Sequence, residues 1–184
     1  PVDLDRYQVL GLDLLPGPGE TAVRTLTPAD QARVLAAALD HLGVPLLEAL
    51  IGASYGGMVG LAFAALFPKR LKQLIAISAP HRAAAHATAL RGIQRRILAF
   101  GIETDHPSEA VALARELAMT TYRTAEELDW RFGQDAVPGA AGQPYAVCDY
   151  LKARGRAYVP KMSAERWYSW QLSLPSATKN WNRQ

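Results

Sequence analysis

Ser54 is the residue of this chain best placed to do covalent chemistry. It sits in Gly52-Ala53-Ser54-Tyr55-Gly56, a G-x-S-x-G arrangement, after the apolar run Leu46–Ile51 and before Gly57-Met58-Val59-Gly60-Leu61-Ala62-Phe63. Strand, sharp turn and helix with serine at the apex form a nucleophile elbow, in which small flanking residues let the chain turn and hold Oγ clear of the sheet. A serine hydroxyl is a weak nucleophile until a base takes its proton. The Tyr55 backbone N–H, opening the following helix, is the expected donor to a developing oxyanion. A second donor would come from a loop upstream of Pro1.

The base is harder to find. Of His41, His81, His86 and His106, the first precedes the serine, against the Ser, acid, His chain order of this chemistry. The other three fall just after a strand or among helices, where a surface role is the expectation. Asp129 and Asp149 have no claim to the acid role beyond residue type. Arg123, in Thr120-Thr121-Tyr122-Arg123-Thr124, offers a planar fork that can grip a carboxylate. A salt bridge to Glu126 or Glu127 is the plainer alternative, and from the residues alone it is favoured. Arg82, Arg91, Arg95 and Arg96 read mainly as a solvated helix face. Trp167, Tyr168 and Trp170 read as packing residues. No spacing suits a metal, a dinucleotide fingerprint or a Walker loop.

The elements around Ser54 follow from pattern. Tyr7–Asp13 reads as a short buried strand and Pro16–Gly19 as a loop. Thr27, Pro28 and Asp30 open a helix as N-cap, first position and first-turn acid, with Val34, Leu35, Ala38 and Leu42 at helical spacing and Gly43 closing it. Leu46–Ile51 is a strand, the elbow helix runs to Pro68, and Leu74–Ser78 is another strand. That β-α-β-α-β order predicts an α/β fold with a parallel sheet. Beyond Pro80 the strand signal stops. Helices are expected over Arg82–Phe100, over Pro107–Thr121 behind an Asp105 cap, and after Thr124 with Glu127 completing a capping box. Two more follow over Ala146–Ala157 and Ala164–Leu172. Gly133–Pro144 is a loop, and residues 174–184 an irregular, frayed or foreign tail. The expected divisions are therefore a core over 1–81, a helical cap over 82–173, and the tail.

With 184 residues, 49% of them hydrophobic, the chain can bury one proper core. Twenty Lys and Arg against 17 Asp and Glu, a formal +3 without a basic block, gives no footprint for nucleic acid. Cys148 has no second cysteine to pair with, which fits a reducing cytoplasm. No apolar stretch reaches the ~18 uncharged residues that a membrane span needs. No signal peptide is visible, and the chain does not begin with Met.

Several segments together resemble the homoserine O-acyltransferase family, the MetX-type branch of the α/β-hydrolase fold. They are Gly52-Ala53-Ser54-Tyr55-Gly56-Gly57-Met58; Pro68-Lys69-Arg70-Leu71 into Ile77-Ser78-Ala79; Gln94-Arg95-Arg96-Ile97; Leu117–Arg123; Glu127–Gly133; and Tyr150-Leu151. The resemblance covers roughly Tyr7 to Trp170. It implies a partial α/β-hydrolase fold with a helical cap, and a two-step reaction in which serine takes an acyl group and hands it to L-homoserine. The donor would be acetyl-CoA or succinyl-CoA, with the Ser-Tyr-Gly-Gly-Met form leaning toward succinyl. Carried over, Ser54 is the nucleophile, Tyr55 the backbone oxyanion donor and Arg123 the substrate-binding arginine. No cofactor is implied beyond acyl-CoA as co-substrate, and no metal. A cytoplasmic homodimer joined through cap helices, in methionine biosynthesis, is the expected setting. The family's acid and base belong to a C-terminal block that these residues do not include. A serine hydrolase and a non-catalytic remnant are the rival readings.

Overall fold

The computed structural model describes residues 2–15, 26–133 and 145–173. The expected Pro16–Gly19 loop, nearly all of the 133–144 loop and the 174–184 tail lie outside them. The chain divides into two compact units with the change at His81 and Arg82.

In the first unit, α1 (Pro28–His41), β1 (Leu47–Ala53), α2 (Tyr55–Leu66) and β2 (Leu71–Ile77) follow in order. Helix α1 starts where the cap chemistry says it should. Thr27 Oγ1 accepts from the Asp30 N–H at 3.2 Å, and Asp30 Oδ2 accepts from the Thr27 N–H at 2.9 Å. Each residue satisfies a donor that the helix start leaves orphaned. Gly43, at φ 67°, turns the chain out of α1. Arg70 then ties the exit down, donating to Val44 O at 2.8 Å and Pro45 O at 3.2 Å while pairing with Asp40.

Strands β1 and β2 pair in parallel, with Leu47 opposite Leu71 and Ala53 opposite Ile77. Helix α2 lies on one face of this pair and against α1. Ala32, Ala36, Leu39, Val59, Ala62 and Phe63 form the core between them. Phe63 and Leu39 are 0% and 1% exposed, so each contributes about 1.5–3 kcal/mol by leaving water. Gly60 sets the approach: a Cβ there would meet Leu74 Cδ1 at 2.7 Å and Leu50 Cδ2 at 2.8 Å. The side chains of Ile51, Ile75 and Ile77 are exposed.

Residues 7–13 do not form the strand expected of them. Tyr7, Val9, Leu10 and Leu12 are exposed, and the only ladder among the described residues is β1 with β2. A strand needs a neighbour to take its backbone hydrogen bonds, and none of the described residues pairs with this segment. Just beyond, the buried Gln31 side chain performs that service for one residue. Its Oε1 accepts from the Leu15 N–H at 3.1 Å and its Nε2 donates to Leu15 O at 2.5 Å.

The second unit is helical among its described residues: α3 (Ala85–Glu103), α4 (Pro107–Met119), α5 (Ala125–Phe132), α6 (Ala146–Arg156) and α7 (Ala164–Ser173). Helix α4 is the hub, packed by α3, α6 and α7. Leu98, Val111, Ala114, Met162, Ala164 and Trp167 make its core. Gly101 and Gly155 let α3 and α6 close on α4: a Cβ at Gly101 would overlap Ala110 Cβ, and one at Gly155 would lie 2.7 Å from Ala112 O. The cap of α4 is His106 rather than Asp105, which instead takes φ 60° in the turn between α3 and α4. Thr124 caps α5, accepting from the Glu127 N–H at 3.1 Å. The reciprocal half of the expected capping box is missing because the Glu127 carboxylate pairs with Arg123.

Candidate functional site: the serine elbow and an arginine–tyrosine cluster

Ser54 stands at the carboxyl end of β1, between the strand and α2, at φ 51° and ψ −118°. A residue with a Cβ avoids that region, and holding one there costs about 1–3 kcal/mol, repaid by the surroundings. The Ser54 N–H donates to Ile77 O at 2.9 Å, and Ser54 O accepts from the Met58 N–H at 3.1 Å. The turn is thereby tied to the end of β2 on one side and to the first turn of α2 on the other. Ser78, one residue beyond β2, also takes a positive φ, 49°. Two strained serines at the carboxyl ends of adjacent parallel strands occupy the edge where α/β sheets place ligands.

The glycines divide the labour differently from the motif's spelling. At Gly52 a Cβ would overlap the Gly56 carbonyl and lie 2.7 Å from the Gly57 nitrogen. At Gly57 it would overlap Ala79 Cβ and approach Gly52 O at 2.9 Å. At Gly56, the second glycine of the motif, a Cβ would meet nothing within 4 Å. Gly52 and Gly57 therefore allow the close approach, and Gly56 does not.

The Ser54 side chain is exposed and makes no capping hydrogen bond to α2. Tyr55 is the first residue of α2, so its N–H lies at the positive end of the helix dipole beside Ser54; its phenol donates to Leu26 O at 3.2 Å. No histidine hydrogen-bonds Ser54 Oγ among the described residues. His41 ends α1, His81 follows β2, and His86 is in the first turn of α3. His106 caps α4 with Nδ1 2.6 Å from Thr104 O. All four are exposed. Among the described residues no group of His, Cys, Asp and Glu is arranged to hold a metal ion.

Arg123 belongs to the second unit, in the turn between α4 and α5. It pairs with Glu127 at 2.9 Å, four residues on, with both side chains more than a third exposed. The plainer alternative for this arginine, a salt bridge to a nearby glutamate, is thus formed. An exposed i,i+4 pair is worth only about 0.3–0.5 kcal/mol, so it does not hold the arginine against a better partner.

The neighbourhood of Arg123 holds residues to which sequence reasoning assigned no role. The Arg131 guanidinium carbon lies 5.1 Å from the Tyr150 ring centroid and 5.2 Å from that of Phe132, and the Arg154 carbon lies 5.7 Å from Tyr150. The Phe132 and Tyr150 rings are 5.0 Å apart. Arg154 chiefly holds the Tyr150 phenol below its ordinary pKa, with desolvation opposing it and Arg123 adding a lesser lowering effect. Neither arginine makes a hydrogen bond of ordinary geometry to it: the hydroxyl is shut off from solvent and has no partner among the described residues. We read the arginines as close neighbours of the phenol rather than as bonded to it. The one sequence signal available was Arg154 four residues after Tyr150, on the same helix face.

A groove of about 930 Å³ lies between α3 and α4, with Ile93, Phe100 and Leu113 on its wall. Arg96 and His106 are on its wall as well, while Ser54, Tyr55 and Arg123 do not line it.

A family profile described as the alpha/beta hydrolase fold matches residues 1–145. Homoserine O-succinyltransferase of Xanthomonas campestris pv. campestris is 41% identical over 156 residues, covering 84% of this chain and 42% of that protein. Serine O-succinyltransferase of Emericella nidulans is 33% identical over 174 residues, covering 82% and 34%. Among solved structures, homoserine O-acetyltransferase from Bacillus anthracis superposes with a TM-score of 0.74 at 12% identity, over 89% of this chain and 48% of that one. The last likeness shows the fold alone. The chain spans less than half the length of these relatives. Among the described residues, no helix is long and apolar enough to cross a membrane.

Proposed function

Since the chain belongs to the α/β-hydrolase fold family, we propose that it carries the nucleophile and part of the acceptor site of a homoserine O-acyltransferase. The observation that carries this is the strained elbow: Ser54 at φ 51°, exposed, with the N-terminus of α2 beside it. Strain of that kind persists where the fold over-determines it, and here it presents an oxygen to an incoming carbonyl.

In this reading Ser54 Oγ attacks the thioester carbonyl of acetyl-CoA or succinyl-CoA. The carbon–sulfur bond breaks, CoA leaves as the thiolate, and the acyl group rests on the serine. The Tyr55 N–H stabilises the oxyanion formed on the way. The L-homoserine hydroxyl then attacks the acyl-enzyme, regenerating Ser54 and giving O-acylhomoserine. Arg123 holds the homoserine carboxylate, exchanging its weak bond to Glu127 for a bidentate one. The Ser54 proton passes to the histidine that the family resemblance implies, oriented by its acid partner, which stays ionised; that histidine is none of the four described. The relatives named as succinyltransferases, one acting on homoserine and one on serine, support a succinyl donor and an amino-acid hydroxyl acceptor. The reading also includes acyl-CoA as sole co-substrate, a cytoplasmic setting in methionine biosynthesis, and a homodimer through cap helices. The exposed Ile93, Phe100 and Leu113 on α3 and α4 support the dimer.

The test is intact-mass and peptide mass spectrometry after exposure to succinyl-CoA or acetyl-CoA. The expected result is one acyl adduct on the Ser54 peptide, absent in Ser54→Ala and discharged by L-homoserine. CoA release at the same rate without homoserine would identify a hydrolase instead. No adduct from either donor would favour a non-catalytic remnant.

A further inference from the structure

Apart from the Glu127 carboxylate already paired with Arg123, the side chains gathered around Tyr150 are donors. Arg131 and Arg154 form no ion pair among the described residues, and Arg123 alone has one, with Glu127. The Tyr150 hydroxyl is buried without a partner among the described residues. Leaving such a group unsatisfied costs about 1–3 kcal/mol, and native proteins rarely keep one without a reason. Arg131 and Arg154 lie near the Tyr150 ring, and a guanidinium packed against an aromatic ring keeps its in-plane N–H edge free to bond. Only arginines figure among the charges that act on the phenol, so the local field is positive. Arg131 and Arg154 are exposed, so a ligand can reach their guanidiniums from solvent, and reaching the shielded Tyr150 hydroxyl requires these long side chains to swing aside.

A set of N–H and O–H donors in a positive field fits a group that only accepts hydrogen bonds. We propose that Tyr150, Arg131 and Arg154, beside Arg123, form a socket for the oxyanion of a small-molecule ligand, a carboxylate or a phosphate. The Tyr150 O–H donates one hydrogen bond, the two guanidiniums supply charge-assisted ones, and Arg123 closes the side next to Glu127. The inference rests on the carboxylate-binding reading of Arg123 and extends it from one arginine to a four-residue site. A carboxylate would come from the amino-acid acceptor or a succinyl group. A phosphate would come from CoA.

Isothermal titration of the full chain, in buffer free of phosphate and sulfate, tests this with L-homoserine, succinate and CoA as separate probes. At least one should bind saturably, and Tyr150→Phe and Arg154→Met should each weaken that binding roughly 10-fold. Arg154→Lys should recover only part of the loss, because it restores charge but not the fork. Binding of homoserine or succinate assigns a carboxylate, and binding of CoA that 3′-dephospho-CoA does not reproduce assigns a phosphate; both support the socket. Far-UV circular dichroism checks that each variant is folded. Should Tyr150→Phe misfold, Arg154→Met and Arg131→Met carry the test. Absence of saturable binding up to ~10 mM of every probe, or binding indifferent to these variants, overturns it. If binding depends on the socket while Ser54 never acylates, the acyl-transfer reading fails and the socket stands. If Ser54 acylates and binding ignores Tyr150 and Arg154, the socket alone fails.

Discussion

The strain at Ser54 can be weighed by replacing the residue with glycine and, separately, with alanine. At φ 51° and ψ −118° a residue with a Cβ costs about 1–3 kcal/mol. Glycine removes that cost but gives back about 0.5–1 kcal/mol through the greater freedom of its unfolded chain. Ser54→Gly should therefore stabilise the first unit by a net ~0.5–2 kcal/mol. Alanine keeps the Cβ and loses only an exposed hydroxyl with no capping bond, so Ser54→Ala should change stability by less than ~0.5 kcal/mol. All four tryptophans follow residue 129, so their fluorescence reports on the second unit. Hydrogen exchange of peptides covering β1 and α2 is the better assay. In Ser54→Gly these amides should exchange roughly 2- to 30-fold more slowly, since 1.4 kcal/mol is a factor of ten. If glycine leaves exchange unchanged or speeds it, the elbow is not strained and Ser54 loses its support as a presented nucleophile. If alanine also slows exchange by that much, the hydroxyl rather than the backbone carries the cost, and the strain is wrongly placed.

The two glycines of the motif should behave oppositely. Gly52→Ala forces a Cβ into the Gly56 backbone and should cost about 3 kcal/mol or more, whereas Gly56→Ala, which meets nothing, should be neutral or stabilise α2 by up to ~1 kcal/mol. Thermal melts of the two variants separate them, and equal losses would contradict the packing seen at Gly52. Arg123→Ala and Glu127→Ala both break the same exposed ion pair and should each shift stability by no more than about 0.5 kcal/mol. In the acyl-transfer assay only Arg123→Ala should raise the homoserine KM, on the order of 10-fold or more; matching effects would reduce Arg123 to the partner of Glu127. Asp30 has a carboxyl pKa held below its ordinary 3.8, chiefly by the hydrogen bond from the Thr27 side chain, with desolvation opposing. Its folded pKa lies below its unfolded one, so its contribution to α1 is complete above 3.8 and is lost as pH falls through the lower folded value. Urea unfolding at stepped pH should show a shallower acid-side loss in Asp30→Asn than in the parent, and identical slopes would show that Asp30 is no source of acid sensitivity.

Whatever depends on residues within about a turn of one another is legible in the sequence alone. Thr27, Pro28 and Asp30 specify the start of α1. Ser54 between two glycines specifies the elbow, and the apolar spacing after residue 82 specifies helices that form within a few residues of their expected ends. Such signals survive because capping, turn geometry and helical periodicity are local free energies. Features that need a distant partner are not legible in this way. Tyr7–Asp13 has the composition of a strand but no strand beside it among the described residues, and composition does not report a neighbour. Asp105 has the chemistry of a cap, yet the packing of Gly101 against Ala110 sets the turn so that His106 takes that place. The spelling of the motif credits Gly56, but Ala79, more than twenty residues away, makes Gly57 matter alongside Gly52.

The serine and its elbow were therefore determined by the sequence itself, because a strand, a turn and a helix consecutive in the chain are enough to build them. The arginine–tyrosine cluster was decided only by the tertiary structure. Arg123, Arg131, Tyr150 and Arg154 meet because α5 packs on α6, and a buried hydroxyl without a partner exists only once that packing has closed around it.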